Sequence, residues 1–183
     1  MEFVPIFGST DKFWCPVYEQ DNGDDLFTVL FDKWTDTEYL KNFFIEHKAD
    51  LTSPYWNGIN IDKAIQLVLE EITYLQEKLI CIEDRHDECD GVEIEDIFED
   101  FRDSELIFKG SQRKFKKGKI DSYPKFLRLY GVELEDGTIL ITGGAIKISF
   151  ELERNHIKDE IKRMKRVANY LKAEFIHTKE GLY

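Results

Sequence analysis

The sequence has little cysteine, no long uncharged run and no basic amino-terminal region, and each shortage removes a class of protein. Three cysteines, Cys15, Cys81 and Cys89, are few and odd in number for a disulfide framework, which predicts a reducing, cytoplasmic setting. No stretch approaches the roughly 18 apolar residues that a membrane-spanning helix requires, so no membrane partner is expected. The opening residues MEFVPIFGSTDKFW carry neither a basic segment nor a long apolar one, so no secretory signal is expected. A metal-ligand set is missing too. His86 with Cys81 and Cys89 makes too few ligands for structural zinc. A calcium loop with Gly91 at its sixth position would put His86 first and Ile97 last, where Asp and Glu are required. We therefore expect no metal and no cofactor, and read residues 83–103, EDRHDECDGVEIEDIFEDFRD, as a solvated acidic face ending in a short amphipathic helix.

What the chain has is charge, unevenly placed. Hydrophobic residues make up 42% and charged residues 34%, the balance of a globular protein, and the net charge is −12. Residues 1–104 hold 26 Asp and Glu against 8 Lys and Arg, while residues 105–183 hold 11 against 17. The acidic part repels polyanions; the basic part can bind them, or bind the acidic part itself. This predicts an acidic strand-and-helix region, 1–104, and a basic hairpin-and-helix region, 105–183, as two units or one compact domain.

The periodicities give the elements. The first thirty residues read as short strands, MEFVPIF and FWCPVYE being edge strands because each contains proline, with a turn at residues 21–24 before LFTVLF. Thr35 and Glu38 fit a capping box for a helix to about His47. Asn60 caps a helix striped by Ile61, Ile65, Val68, Ile72, Leu75, Leu79 and Ile82. KGSQRKFKKGK, residues 109–119, reads as a basic loop because Gly110 and Gly118 interrupt it. A last helix, about Asn155 to Phe175, buries Ile157, Ile161, Met164, Ala168, Leu171 and Phe175 and exposes lysines and arginines.

Between the basic loop and that helix lies FLRLYGVELEDGTILITGGAIKIS, residues 126–149. Asp136-Gly137 predicts a two-residue hairpin turn, which makes paired positions sum to 273. Phe126 then faces Lys147, and Phe126, Arg128, Tyr130 and Val132 share a face with Lys147, Ala145, Gly143 and Ile141. Arg128 and Lys147 become diagonal neighbours. Lys147 is either a strand-end lysine whose stem packs while its ammonium reaches water, or half of an anion site with Arg128. A bulge at Gly143-Gly144 would reverse its face.

The basic loop, one hairpin face and one helix side all come from the final third of the chain. Arg113, Lys114, Lys116, Lys117, Lys119, Arg154 and Lys158 can contact phosphates, and Phe115 or Tyr130 can stack a base. The competing reading is a basic surface that only complements the acidic part.

The order of basic segment, YPKFLRLYGVEL, acidic turn, TILITGGAIKIS and a basic helix ending RVANYL resembles the carboxy-terminal core of RelE/HigB-like toxins of bacterial toxin-antitoxin modules, over about residues 105–175. The resemblance implies RNA cleavage on the ribosome without a metal, and a small helix-turn-helix antitoxin as partner. It makes Lys147 and Arg128 the phosphate binders, with Arg154 or Lys158 assisting, and His156 or Tyr170 the proton carrier. Toxins of this kind are short and basic, whereas this chain adds about 100 acidic-region residues. The expected fold is α+β, an antiparallel sheet with a hairpin at about 126–148 packed by amphipathic helices. The expected function is RNA binding with endoribonuclease activity, and the alternative is a non-enzymatic interaction module using its acidic and basic surfaces.

Overall fold

A computed structural model describes residues 1–8, 12–18, 23–84, 92–100, 114–118, 126–148 and 155–183, with the backbone path alone at 95, 96, 99, 100 and 114–118. Strands β1 (Glu2–Pro5) and β2 (Phe13–Val17) pair antiparallel, Phe3 opposite Pro16 and Val4 opposite Cys15. β1 is an edge strand, as its proline predicts, but β2 is not. It pairs in parallel with a later strand at Phe13 and Trp14 alone, so Pro16, which has no N–H to give, lies beyond the last pair.

The apolar run after the first turn is helical. Asp25 caps α1 (Leu26–Thr35), accepting from Thr28 N at 2.9 Å and Thr28 Oγ1 at 2.7 Å. Leu26, Phe27, Leu30, Phe31 and Trp34 then fall on one buried face. Asp36, not Thr35, caps α2 (Thr37–Glu46), accepting from the N–H groups of Glu38 and Tyr39, while the Thr35 hydroxyl bonds back to Phe31 O. After the short α3 (Lys48–Leu51), Asn60 accepts from Lys63 N at the start of α4 (Ile61–Asp84). The buried stripe of α4 also holds two carboxylates, Glu71 and Glu83.

The acidic segment's helix is one turn, α5 (Ile94–Ile97), which runs into β3 (Phe98–Asp100). Part of the expected basic loop is strand β4 (Lys114–Gly118), with Gly118 at its end rather than interrupting it. The hairpin is β5 (Leu127–Glu133) and β6 (Ile139–Ile146), followed by α6 (Asn155–Ala173) and a 3₁₀ turn, Lys179–Leu182. The sheet order is β1-β2-β6-β5-β4-β3. It is mixed, not antiparallel throughout, because β2 and β6 run parallel. The acidic and basic parts of the sequence contribute strands to this same sheet.

Two differences in the hairpin cancel. Leu134 N donates to Thr138 O at 2.8 Å, so the loop holds three residues, Glu135, Asp136 and Gly137, with Gly137 at φ +79°. Near the turn, Val132 therefore pairs with Leu140 and Gly131 with Ile141. An irregularity at Tyr130/Gly131 then absorbs Thr142 as an extra residue, and Tyr130 pairs with Gly143 and Arg128 with Ala145. Lys147 returns to its predicted partner, its N–H donating to Phe126 O at 2.6 Å. The face expected to carry Phe126 and Ile141 carries Leu140 instead of Ile141, and both Ile141 and Phe126, which lies before β5 begins and stacks on Trp56, pack on the other side.

Helices cover both sheet faces. Leu127, Leu129, Ile139, Ile141 and Ile146 pack with α1, α2 and α4, while Tyr130, Val132, Leu140 and Ala145 pack with Ile157, Met164, Val167 and Leu171 of α6. Phe175, expected in the buried stripe, is 81% exposed at φ +55°, just past the helix end, where Ile176 N reaches back to Leu171 O. A left-handed phenylalanine there is strained, and glycine is the residue this cap favours. Phe175→Gly should therefore raise the unfolding free energy by about 0.5–1 kcal/mol, read from urea midpoints. An unchanged or lower midpoint would mean the ring makes contacts worth as much as the strain.

Cys15 is a buried free thiol, whereas Cys81 is disulfide-bonded. A disulfide in a chain with so few cysteines separates the cysteine count from the redox compartment it was used to predict. Among the described residues no helix is long and apolar enough to cross a membrane.

Candidate nucleic-acid interface

Arg128 and Lys147 lie at the same end of the hairpin. Ala145 and Tyr130 belong to the α6 face, and Arg128, paired with Ala145, follows them by alternation; Lys147 stands one residue past the end of β6, opposite Phe126, its backbone roughly 7–8 Å from that of Arg128. Both are partly buried, and Arg128 Nη1 donates to Leu127 O at 2.6 Å. The neighbouring Tyr130 hydroxyl is pushed up to about 12 by burial, with Arg128 opposing and Glu160 adding to the shift, so it stays neutral.

His156 joins this end of the sheet. It sits in the first turn of α6, and its Nε2 lies 3.1 Å from Ile146 O, one residue before Lys147. A carbonyl only accepts, so Nε2 carries the proton in this contact. Phe43 meets its ring edge-on, with centroids 5.7 Å apart, and His47 lies 5.6 Å away.

Tyr170 does not join it. Fourteen residues separate it from His156 along α6, about 21 Å at 1.5 Å per residue. Its hydroxyl instead meets the backbone of Met1, and its ring packs against Phe3. The expectation that Tyr170 shares a site with Lys147 is corrected by the length of the helix.

Lys158 is exposed on α6, with Lys162, Arg166 and Lys172. Lys114, Lys116 and Lys117 lie on β4, in register with Glu133, Gly131 and Tyr130. They are therefore on a strand beside Arg128's own. Arg113, Lys119 and Arg154 lie outside the described residues. Among those described, no three His, Cys, Asp or Glu side chains gather as a metal would need.

Sequence reasoning missed the neighbouring cleft. β2 leaves β6 after Trp14 and Leu140, so the β6 edge beyond that pair is bordered by α1, α2 and α6 around a cavity of about 200 Å³. The bond from Lys147 N to Phe126 O sets which way each residue points. Ala145 and Lys147 turn their backbone groups to β5, and Gly144 and Ile146 turn theirs to the cleft. Side chains of α6 meet those groups: Glu160 Oε2 accepts from Gly144 N at 3.1 Å, and His156 donates to Ile146 O. Arg163 binds both oxygens of Glu160, at 3.1 and 3.2 Å. Burial pushes the Glu160 carboxyl above its usual range, against the pull of Arg163, the Gly144 N–H and Lys33. The legible signal was Gly143-Gly144. Two adjacent glycines in a strand mark close approach from both faces.

No family model, no curated protein and no solved structure matches the chain.

Proposed function

We propose that this chain is a toxin-like RNA-binding protein that grips a phosphate of the strand between Arg128 and Lys147. The carrying observation is their place at one end of the hairpin, Arg128 opposite Ala145 and Lys147 opposite Phe126, with His156 bonded to the carbonyl next to Lys147. Two cations at this spacing suit a phosphate, and the exposed Lys158 and Lys162 in the first half of α6 extend the positive surface. The acidic helix α4, with α1 and α2, lies over the opposite sheet face, which leaves the outer side of α6 to solvent.

Cleavage is the finer form of the same reading. A 2′-hydroxyl attacks the adjacent phosphorus, forming a 2′,3′-cyclic phosphate and breaking the bond to the 5′-oxygen of the next nucleotide. Arg128 and Lys147 stabilise the charge that gathers on the phosphate. His156 takes the proton from the 2′-oxygen, and Tyr170, at the other end of α6, takes no part. The 5′-oxygen must gain a proton from solvent or from a group outside the described residues.

The test compares Lys147→Met, Arg128→Met, the double variant and Lys172→Met on single-stranded RNA at two salt concentrations. Each single change at the site should weaken binding about tenfold, as removal of a charge-assisted bond does. The double variant should lose less than the product, because both act on one phosphate. Lys172→Met, in the last turn of α6, should change little. Parent-like binding by all variants, or parent binding insensitive to salt, would replace this reading with that of a protein-interaction module.

A further inference from the structure

We infer that the cleft beside β6 is a nucleobase pocket, taking the planar ring of a nucleotide edge-on against the backbone of Gly144 and Ile146. The inference builds on the RNA-binding reading and locates where a base would go once its phosphate is held.

Three observations support it. The first is the pattern on the strand edge. The cleft receives, in order, Gly144 N–H, Gly144 C=O, Ile146 N–H and Ile146 C=O. The outer two groups are taken by Glu160 and His156, and an acceptor followed by a donor lies between them. Every nucleobase presents a neighbouring donor and acceptor on its Watson–Crick edge, so an acceptor and a donor at positions i and i+2 of one strand edge can pair with one.

The second observation is the walls. Trp34, Tyr39, Phe43 and His156 all line the cleft, and bases are held chiefly by stacking on such rings. Burial, with Glu160 and Glu46, raises the Tyr39 hydroxyl, so this ring is a neutral surface at ordinary pH. The third observation is size and rim. About 200 Å³ is below the roughly 300–1,000 Å³ of pockets that enclose drug-sized ligands, and suits one base with its sugar and phosphate outside. Lys33 stands at the rim, its ammonium 4.8 Å from the centre of the Tyr39 ring, where a phosphate would emerge. The β6 strand joins the two sites: Ile146 faces the cleft and Lys147 the phosphate site, one residue apart.

The base can come from a bound RNA strand or from a free nucleotide, and the experiment separates them. The full chain is titrated calorimetrically with AMP, GMP, CMP and UMP, and separately with single-stranded RNA. At least one monophosphate should bind with a dissociation constant of about 1 mM or tighter. Val29→Trp, which fills the cleft from α1, should abolish that binding. Tyr39→Ala, which keeps the space and removes a stacking wall, should weaken it about tenfold. Lys147→Met should leave monophosphate binding alone while weakening RNA. Monophosphate binding that survives both Val29→Trp and Tyr39→Ala, or no monophosphate binding at all, overturns the pocket. If RNA still binds in that case, the RNA reading stands without the pocket. Monophosphate binding that depends on Val29 and Tyr39, with no RNA binding, keeps the pocket as a free-nucleotide site and removes the RNA reading.

Discussion

Glu71→Leu should lower the unfolding free energy by about 3 kcal/mol or more, the largest loss expected from any change outside the aromatic core. Glu71 lies within the apolar stripe of α4, only 6% exposed. Its carboxylate accepts from Phe126 N at 2.8 and 2.9 Å and from Leu127 N at 2.8 Å, where β5 begins. A buried carboxylate is costly unless its oxygens are matched, and two convergent backbone donors match them. Leucine fits the stripe but strands those donors. Each costs about 1–3 kcal/mol when buried without a partner, and the apolar gain offsets only part of that. Glu71→Gln keeps one carbonyl oxygen and should fall between parent and Glu71→Leu. Urea denaturation of the three proteins is the measurement, and a leucine variant within 1 kcal/mol of the parent would show that β5 starts without this carboxylate. Function is tied to the same contact. Phe126 is the backbone partner of Lys147, so a frayed start of β5 should also weaken RNA binding by the folded fraction.

Long stripes were legible because helical spacing repeated over several turns leaves no alternative. The buried sides of α4 and α6 are nearly those predicted, since each of their apolar residues must find cover. Shorter segments were not. LFTVLF is as apolar as a central strand, and what makes it helix is Asp25 before it and Trp34 two turns beyond Phe27, outside the run itself. KFKKG reads as a loop because charge and glycine dominate locally, yet its backbone pairs with β5. Register at Lys147 was predicted correctly through two compensating differences, a turn one residue longer and a bulge at Thr142. Within the candidate site, the place of Arg128 follows from period-two alternation, and that of Lys147 from the backbone register alone. Glu160 and the cleft do not, because they depend on where β2 parts from β6, a tertiary fact that no local pattern encodes.

Gly144→Ala should cost about 3 kcal/mol, and its partner in that cost can be identified by a second substitution. A methyl group on Gly144 would stand 2.5 and 2.7 Å from two ring carbons of Trp34 and 3.1 Å from Arg128 O. Trp34 cannot easily yield: it is 2% exposed, with Phe31 against it at 5.6 Å between ring centres. Interiors packed this closely respond by shifting backbone or forcing a rotamer, which commonly costs about 1–3 kcal/mol, and a methyl inside contact distance of an indole belongs at the upper end. Gly143 is a different case. A methyl there would collide with the Glu160 carboxylate, the end of a side chain that can swing away. Gly143→Ala should therefore cost less, by loss of the Glu160 bond to Gly144 N, about 1–2 kcal/mol. The two glycines thus serve opposite faces of one strand, Gly144 admitting α1 and Gly143 admitting α6. Trp34→Phe shrinks the ring that Gly144→Ala would strike, so combined with that change it should recover about 1 kcal/mol relative to the sum of the two single losses. The same Trp34→Phe combined with Gly143→Ala should show additive losses, because Trp34 and Glu160 approach from different sides. Equal coupling of Trp34 to both glycines would mean that the strand shifts as a body, and that the close approach of α1 at Gly144 is not what requires glycine there.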